Sequence, residues 1–96
     1  MATKTSNLYG KITVTNRAIR SIVNMTVVEC YGVSTGRLSD ILTDNNKIYL
    51  SVKVYLKYGV KPEAVSETIR KAVRYNVENL TGMTVAVINV TIQGIY

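Results

Sequence analysis

Tyrosines and lysines placed at alternating positions are the residues of this sequence best suited to bind a partner. Side chains two residues apart share one face of an extended strand. Tyrosine rings stack on bases or supply large protein contacts, and lysines neutralise phosphates or carboxylates. The set lies in two stretches and comprises Tyr9, Lys11, Tyr49, Lys53, Tyr55 and Lys57. The chemistry that this spacing predicts is non-covalent binding.

Residues that serve catalysis and metal binding are scarce. The chain has no histidine, one cysteine and no glycine-rich phosphate loop. Histidine is the commonest general base, and a structural zinc site needs several Cys and His ligands. Glu63, Glu67 and Glu78 are spread along a predicted helix and do not form a pair. The sequence therefore predicts no enzyme, no cofactor or metal site and no small-molecule substrate.

A long strand beginning at Lys47 must present the second tyrosine–lysine stretch. Its apolar residues alternate with polar ones, which is typical of a half-buried, antiparallel strand. The apolar side chains predicted to face a core are Ile48, Leu50, Val52, Val54 and Leu56. Tyr58 and Gly59 end the alternation. The opposite side of the predicted sheet is called the outer face below.

A helix is predicted from Pro62, a residue that suits the first helical turn. Its apolar stripe is Val65, Ile69, Ala72, Val73, Asn76, Val77 and Leu80. The other side is charged, with i,i+4 pairs at Glu67–Lys71 and Arg74–Glu78, and is predicted to face solvent. Gly82 is predicted to end the helix in the left-handed conformation.

Residues 85–92 predict a closing strand with Ala86, Ile88, Val90 and Ile92 facing inward. Val85 and Val87 then lie on the outer face, which indicates that something apolar covers it there. With these two valines, the candidate interaction surface comprises Tyr9, Lys11, Tyr49, Lys53, Tyr55, Lys57, Val85 and Val87.

The N-terminal half has a weaker pattern. Residues 1–7 are predicted to be a flexible tail, and residues 8–14 a short strand. Residues 17–30 follow helical spacing, with Cys30 on the buried stripe as a small core side chain. Residues 33–36 are predicted to form a short strand, and residues 37–46 are predicted to form a loop with a turn of helix.

The resulting order is β-α-β-β-α-β, an α+β pattern. It predicts two helices packed on one face of a small mixed, mostly antiparallel sheet, in a split βαβ or ferredoxin-like arrangement. With 96 residues, the chain has room for one core, so residues 8–96 are predicted to form a single domain.

The formal net charge of +6 lies outside the second helix, whose three acids and three bases cancel. Such an excess favours an acidic protein, nucleic acid or an anionic membrane surface, or it serves solubility alone. The chain has no apolar run of about 20 residues and no signal-peptide core at its start, which predicts a cytoplasmic protein.

The sequence is compatible with three interpretations of the outer face. Tyrosines with valines suit a protein–protein interface. Tyrosines with lysines also suit single-stranded nucleic acid, although the aromatic-rich glycine motif of RNA-binding sheets is absent. The third interpretation is a strand face without a specific partner, on which the tyrosine and lysine side chains keep their polar ends in water.

Two ordered sets of residues carry a resemblance over nearly the whole chain from Tyr9 onward. The first is Gly10-Lys11-Ile12-Thr13-Val14 and, after a helix, Glu29-Cys30-Tyr31-Gly32-Val33. The second is Tyr58-Gly59-Val60, Pro62-Glu63-Ala64-Val65, Ile69, Val73, Val77, Thr81-Gly82-Met83-Thr84-Val85 and Ile88-Asn89-Val90-Thr91-Ile92-Gln93-Gly94. At these spacings the chain resembles the bacterial alkaline-shock, or general-stress, envelope protein family.

The resemblance implies a small, non-catalytic cytoplasmic protein with a scaffold or interaction role in the cell-envelope stress response. It implies a protein partner, either a second copy in a homo-oligomer or a small membrane-anchor protein that brings the chain to the membrane. Nucleic acid is the alternative partner. The matching positions are glycines and apolar residues, which carry the fold, so no functional site is carried over with them.

Overall fold

The computed structural model describes residues 16–95. The predicted tail and the predicted strand over residues 8–14, with Tyr9 and Lys11, lie outside this range. Two helices and three strands follow in the order α1 (Asn16–Glu29), β1 (Val33–Asp44), β2 (Lys47–Leu56), α2 (Pro62–Thr81) and β3 (Thr84–Ile95).

The three strands form one mixed sheet in the order β1-β2-β3. β1 pairs with β2 in antiparallel fashion, and β2 pairs with β3 in parallel fashion after the crossover through α2. Both helices pack on one face of this sheet and contact each other. The predicted α+β class, with two helices on one face of a mixed sheet, is confirmed.

The core lies between the helices and the inward side chains of the strands. All five predicted inward residues of β2 are at most 1% exposed, from Ile48 to Leu56. Val23 and Val27 of α1 and Ile69 and Val73 of α2 cover them. Each such side chain contributes roughly 1.5–3 kcal/mol when it is fully buried.

The prediction of a loop with a helical turn over residues 37–46 is wrong. Residues 37–44 belong to strand β1, and the turn is confined to Asn45 and Asn46. Asn45 and Asn46 connect β1 to β2 as a two-residue hairpin turn, and Asn45 has a φ of 56°. Asparagine tolerates positive φ, which hairpin turns of this length require. Two register shifts in β1 disturb its alternation, so the sequence pattern does not indicate a strand.

α1 packs closely against β1 and forms hydrogen bonds to its backbone at Leu38. A Cβ atom at Gly36 would come within 2.6 Å of Val27 Cγ1, so only glycine allows this approach. The N–H of Leu38 donates to Asn24 Oδ1 at 2.7 Å, and Arg20 Nη1 donates to the Leu38 carbonyl at 2.8 Å. These bonds satisfy edge groups that could otherwise pair with another strand.

The α2 predictions are largely confirmed. Pro62 begins the helix, and Gly82, at a φ of 72°, ends it by donating its N–H to the Glu78 carbonyl. Lys71 Nζ lies 3.9 Å from Glu67 Oε2 and forms the ion pair that the spacing predicts. The predicted pair of Glu78 with Arg74 is absent from the ion pairs of residues 16–95. The Glu78 carboxylate instead accepts the Val85 N–H at 2.9 Å and joins the end of α2 to the start of β3.

At the start of β3, two residues face the opposite way from the prediction. The register shifts by one residue between the pairs Ile48–Val85 and Tyr49–Val87, and Ala86 is the extra residue. As a result Val85 is buried at 3% exposure, and Ala86 is exposed. Both assignments were wrong, because a bulge reverses the facing of every residue before it.

Candidate interaction surface

The outer face of the sheet is built of cross-strand rows, each with one residue from every strand. Residues that are paired in register point to the same face of a sheet. Next to the hairpin lies a row of Asp44, Lys47 and Thr84; it is followed by the apolar row, Leu42, Tyr49 and Val87, and by the acidic row, Asp40, Ser51 and Asn89. The basic row follows with Arg37, Lys53 and Thr91, and the tyrosine row with Thr35, Tyr55 and Gly94.

The structure brings part of the predicted surface together. Tyr49, Lys53 and Tyr55 occupy three successive rows in the centre of the outer face, and Val87 lies beside Tyr49. Lys57 follows the last residue of β2 and is exposed. Val85 does not belong to this surface, because it is part of the core.

The apolar row is the most hydrophobic part of the outer face. Leu42 is 63% exposed and Val87 is 40% exposed, on either side of Tyr49. These three residues line a shallow depression of about 410 Å³, which continues into the acidic row. Leu42 was missed by sequence reasoning because its segment was predicted to be a loop.

The basic row places two like charges directly opposite each other. Arg37 of β1 and Lys53 of β2 are paired in register, and both are exposed. Like charges at opposite positions destabilise a sheet. Within residues 16–95, neither side chain has an acidic partner at ion-pair distance. Among these residues the row is therefore a positive patch, and an acidic group of a partner could relieve its repulsion.

Asp40 gives the outer face a negative charge one row away from the positive patch. It is exposed, and it is paired with Ser51 next to a register shift in β1. The extra residue of that shift is Ser39, whose hydroxyl donates to the Ser51 carbonyl at 3.1 Å. The bulge is thereby held in place, with Asp40 on the outer face.

The tyrosine row combines a large ring with a glycine. A Cβ atom at Gly94 would lie 3.2 Å from ring atoms of Tyr55, so the ring packs against the glycine on the neighbouring strand. This contact covers part of the Tyr55 ring, which is partly exposed. Aromatic side chains commonly cover a glycine across a strand pair in this way.

Cys30 lies apart from this surface and packs against the core, as predicted. Its thiol donates to the Thr26 carbonyl at 3.3 Å. Partial burial raises the pKa of Cys30, and the neighbouring carboxylate of Glu29 raises it further. Both effects keep the thiol protonated at neutral pH, which is unfavourable for a nucleophile.

A second depression, of about 290 Å³, lies beside the start of α2 and is lined by Tyr31, Gly59, Val60, Lys61, Ala64, Val65 and Thr68. Between residues 16 and 95, no three potential ligands among Asp, Glu and Cys approach closely enough to hold a metal ion. Neither helix in this range is both long and apolar enough to cross a membrane.

Comparison with known proteins places the chain among envelope-related proteins. The sequence model of the alkaline-shock ASP23 family, described as having a cell envelope-related function, matches residues 39–96. The uncharacterised protein YloU of Bacillus subtilis is 24% identical, over 91% of this chain and 89% of its own length. The uncharacterised protein Spy1614 of Streptococcus pyogenes is 27% identical, over 99% and 95% of the two chains.

Two solved structures share the fold. Both are variants of MamM CTD, and each superposes with a TM-score of 0.67 over 81% of this chain and 93% of the other. The sequence identities are 12% and 13%. At this level of identity the likeness concerns the arrangement of helices and strands alone.

Proposed function

Because the chain belongs to the alkaline-shock family, whose function is related to the cell envelope, we propose that it is a non-catalytic interaction module of the envelope stress response. In this proposal it resides in the cytoplasm and acts through its outer face. The partner is a second copy of the chain or a membrane-anchored protein that brings it to the membrane.

The observation that carries the proposal is the exposed apolar row on an otherwise polar sheet face. The inward face of the same sheet is covered by two helices, whereas Leu42 and Val87 remain open to solvent beside Tyr49. Contiguous exposed apolar residues with a polar rim are typical of protein interaction sites. The neighbouring acidic and basic rows supply such a rim.

The non-catalytic part of the proposal is supported by the side chains available. The whole chain lacks histidine, and its one thiol donates a hydrogen bond to a backbone carbonyl. The charged side chains of the two central rows are Arg37, Asp40 and Lys53, groups that suit ion pairing with a partner.

The proposal is tested with a variant that carries both Leu42→Ser and Val87→Ser. Wild type is expected to scatter light as more than a monomer, or to co-fractionate with membranes when it is expressed in Bacillus subtilis. The double variant should lose whichever behaviour wild type shows, because both changes remove apolar contact area from the outer face.

The matched control is Leu80→Ser. Leu80 is 42% exposed at the end of α2, so its loss removes a comparable apolar side chain from another surface. The control should behave as wild type does. A wild type that is monomeric at every concentration and absent from membrane fractions contradicts the proposal, as does a double variant that keeps the wild-type behaviour.

A second candidate function is binding of single-stranded nucleic acid, and the basic row is the observation that favours it. Arg37 and Lys53 form a positive pair next to Tyr55, and such a patch suits phosphates flanked by a stacking ring. Fluorescence anisotropy with single-stranded RNA should then show binding at low salt that weakens steeply as salt rises. Binding that is undetectable, or unchanged by Lys53→Glu, contradicts this function.

A further inference from the structure

The two central rows of the outer face carry charges that complement each other. The acidic row carries Asp40, and the next row along the strands carries Arg37 and Lys53. All three side chains are exposed. Among residues 16–95, these three side chains form no ion pair, and the ion pairs present involve Glu67 of α2.

We propose that two copies of the chain pack outer face against outer face about a two-fold axis that runs across the strands between the acidic and basic rows. The proposal rests on the proposed function and specifies its partner and geometry. A two-fold axis makes each contact twice, with the residues exchanged. Asp40 of each copy then faces Arg37 of the partner subunit, and two opposite-charge pairs form.

The same axis brings the next two rows together. The apolar row of one copy faces the tyrosine row of the other, because both lie one row away from the charged rows. Val87 then meets Gly94 of the partner subunit and the Tyr55 ring that packs against this glycine. Tyr49 meets Tyr55 of the partner subunit, which allows ring contacts at the roughly 10 Å spacing of packed sheets.

The other face-to-face arrangement is less favourable on charge. A two-fold axis parallel to the strands would place each row against itself. Lys53, on the central strand, would face Lys53 of the partner subunit, and Asp40 would face neutral Asn89. Juxtaposed like charges oppose association. The axis across the strands also brings Lys47 opposite Lys57 of the partner subunit, but it forms two Asp40–Arg37 pairs that the other axis lacks, so it is the one that the charges favour.

The test uses two single variants, Asp40→Arg and Arg37→Asp, and sedimentation equilibrium. Each variant alone puts like charges opposite each other twice, so its dimer dissociation constant should rise about tenfold or more. In an equimolar mixture, both contacts again join opposite charges. The mixed dimer should therefore recover wild-type affinity to within about threefold.

The controls change charge by the same amount on the solvent face of α2. Glu67→Arg matches Asp40→Arg, and Arg74→Asp matches Arg37→Asp. Neither control should alter the dissociation constant, and mixing them should have no effect. Recovery on mixing also shows that the two outer-face variants are folded, because an unfolded chain would restore nothing.

Two results would overturn the arrangement. If wild type dimerises but the mixture stays as weak as the single variants, the two-fold packing is wrong while the proposed function stands. If wild type is monomeric at all concentrations, the second copy is not the partner and the arrangement is wrong. Co-fractionation with membranes then decides separately whether the proposed function survives.

Discussion

At the scale of single residues, α1 is held in place by hydrogen bonds as well as by apolar packing. Thr26 is 4% exposed, and its hydroxyl donates to the Ile22 carbonyl at 2.6 Å. The same oxygen accepts from Asn76 Nδ2 of α2 at 2.8 Å. A buried polar group with both partners satisfied fixes the relative position of the two helices without a desolvation penalty.

Asn24→Ala is expected to lower the free energy of unfolding by about 1–3 kcal/mol, because it leaves the N–H of Leu38 without its acceptor. That N–H lies 2.7 Å from Asn24 Oδ1 in a partly buried position. Urea denaturation followed by circular dichroism measures the change.

The control for this prediction is Ser21→Ala on the exposed side of the same helix. A change at such a position should stay within about 0.5 kcal/mol of wild type. If Asn24→Ala were as stable as the control, the bond to Leu38 would not hold α1 against β1.

Single residues are also where sequence reasoning lost accuracy. Val85 and Val87 have the same residue type and both interrupt the alternation, yet one is buried and the other is 40% exposed. The bulge at Ala86 decides between them, and it arises from pairing with β2, a long-range contact. A local pattern of one strand does not contain that information.

At the scale of elements, the strongly periodic segments were predictable. β2 and α2 begin at the predicted residues, because continuous alternation and a complete apolar stripe leave one interpretation each. β1 was not predictable beyond its first residues. Gly36 and the bulge at Ser39 interrupt its pattern, and the strand forms because β2 provides a partner and α1 forms hydrogen bonds to its backbone.

Gly36→Ala tests the close approach of α1 to β1. The added Cβ would lie 2.6 Å from Val27 Cγ1 and 2.7 Å from Val54 Cγ1, so helix and sheet must move apart. Overpacking of this kind lowers the free energy of unfolding by typically about 1–3 kcal/mol.

A double-mutant cycle with Val27→Ala provides the control. Removing the methyl groups of Val27 relieves one of the two closest contacts of the new Cβ, so the double variant should be more stable than the sum of the single effects predicts. The coupling should be on the order of 0.5–3 kcal/mol, the range for residues in contact. If the two changes in the free energy of unfolding were strictly additive, the side chains at positions 27 and 36 would not be in steric conflict.

At the scale of the whole molecule, the two faces of the sheet differ in kind. One is sealed by α1 and α2 over a core of valines, leucines and isoleucines, and the other carries an apolar row between charged and polar rows. The sequence indicated this outer face through Tyr49, Lys53 and Tyr55. It could not reveal Leu42, Arg37 or Asp40, because their shared strand forms only through tertiary pairing.

The most direct test of the central claim is a methyl NMR dilution series on the wild-type chain. Four exposed apolar residues serve as reporters on three surfaces: Leu42 and Val87 on the outer face, Val28 on α1 and Leu80 on α2. If a second copy covers the outer face, the methyl signals of Leu42 and Val87 shift with concentration while those of Val28 and Leu80 stay fixed. Shifts confined to Val28 or Leu80 would contradict the account, because they would place the contact on the helices.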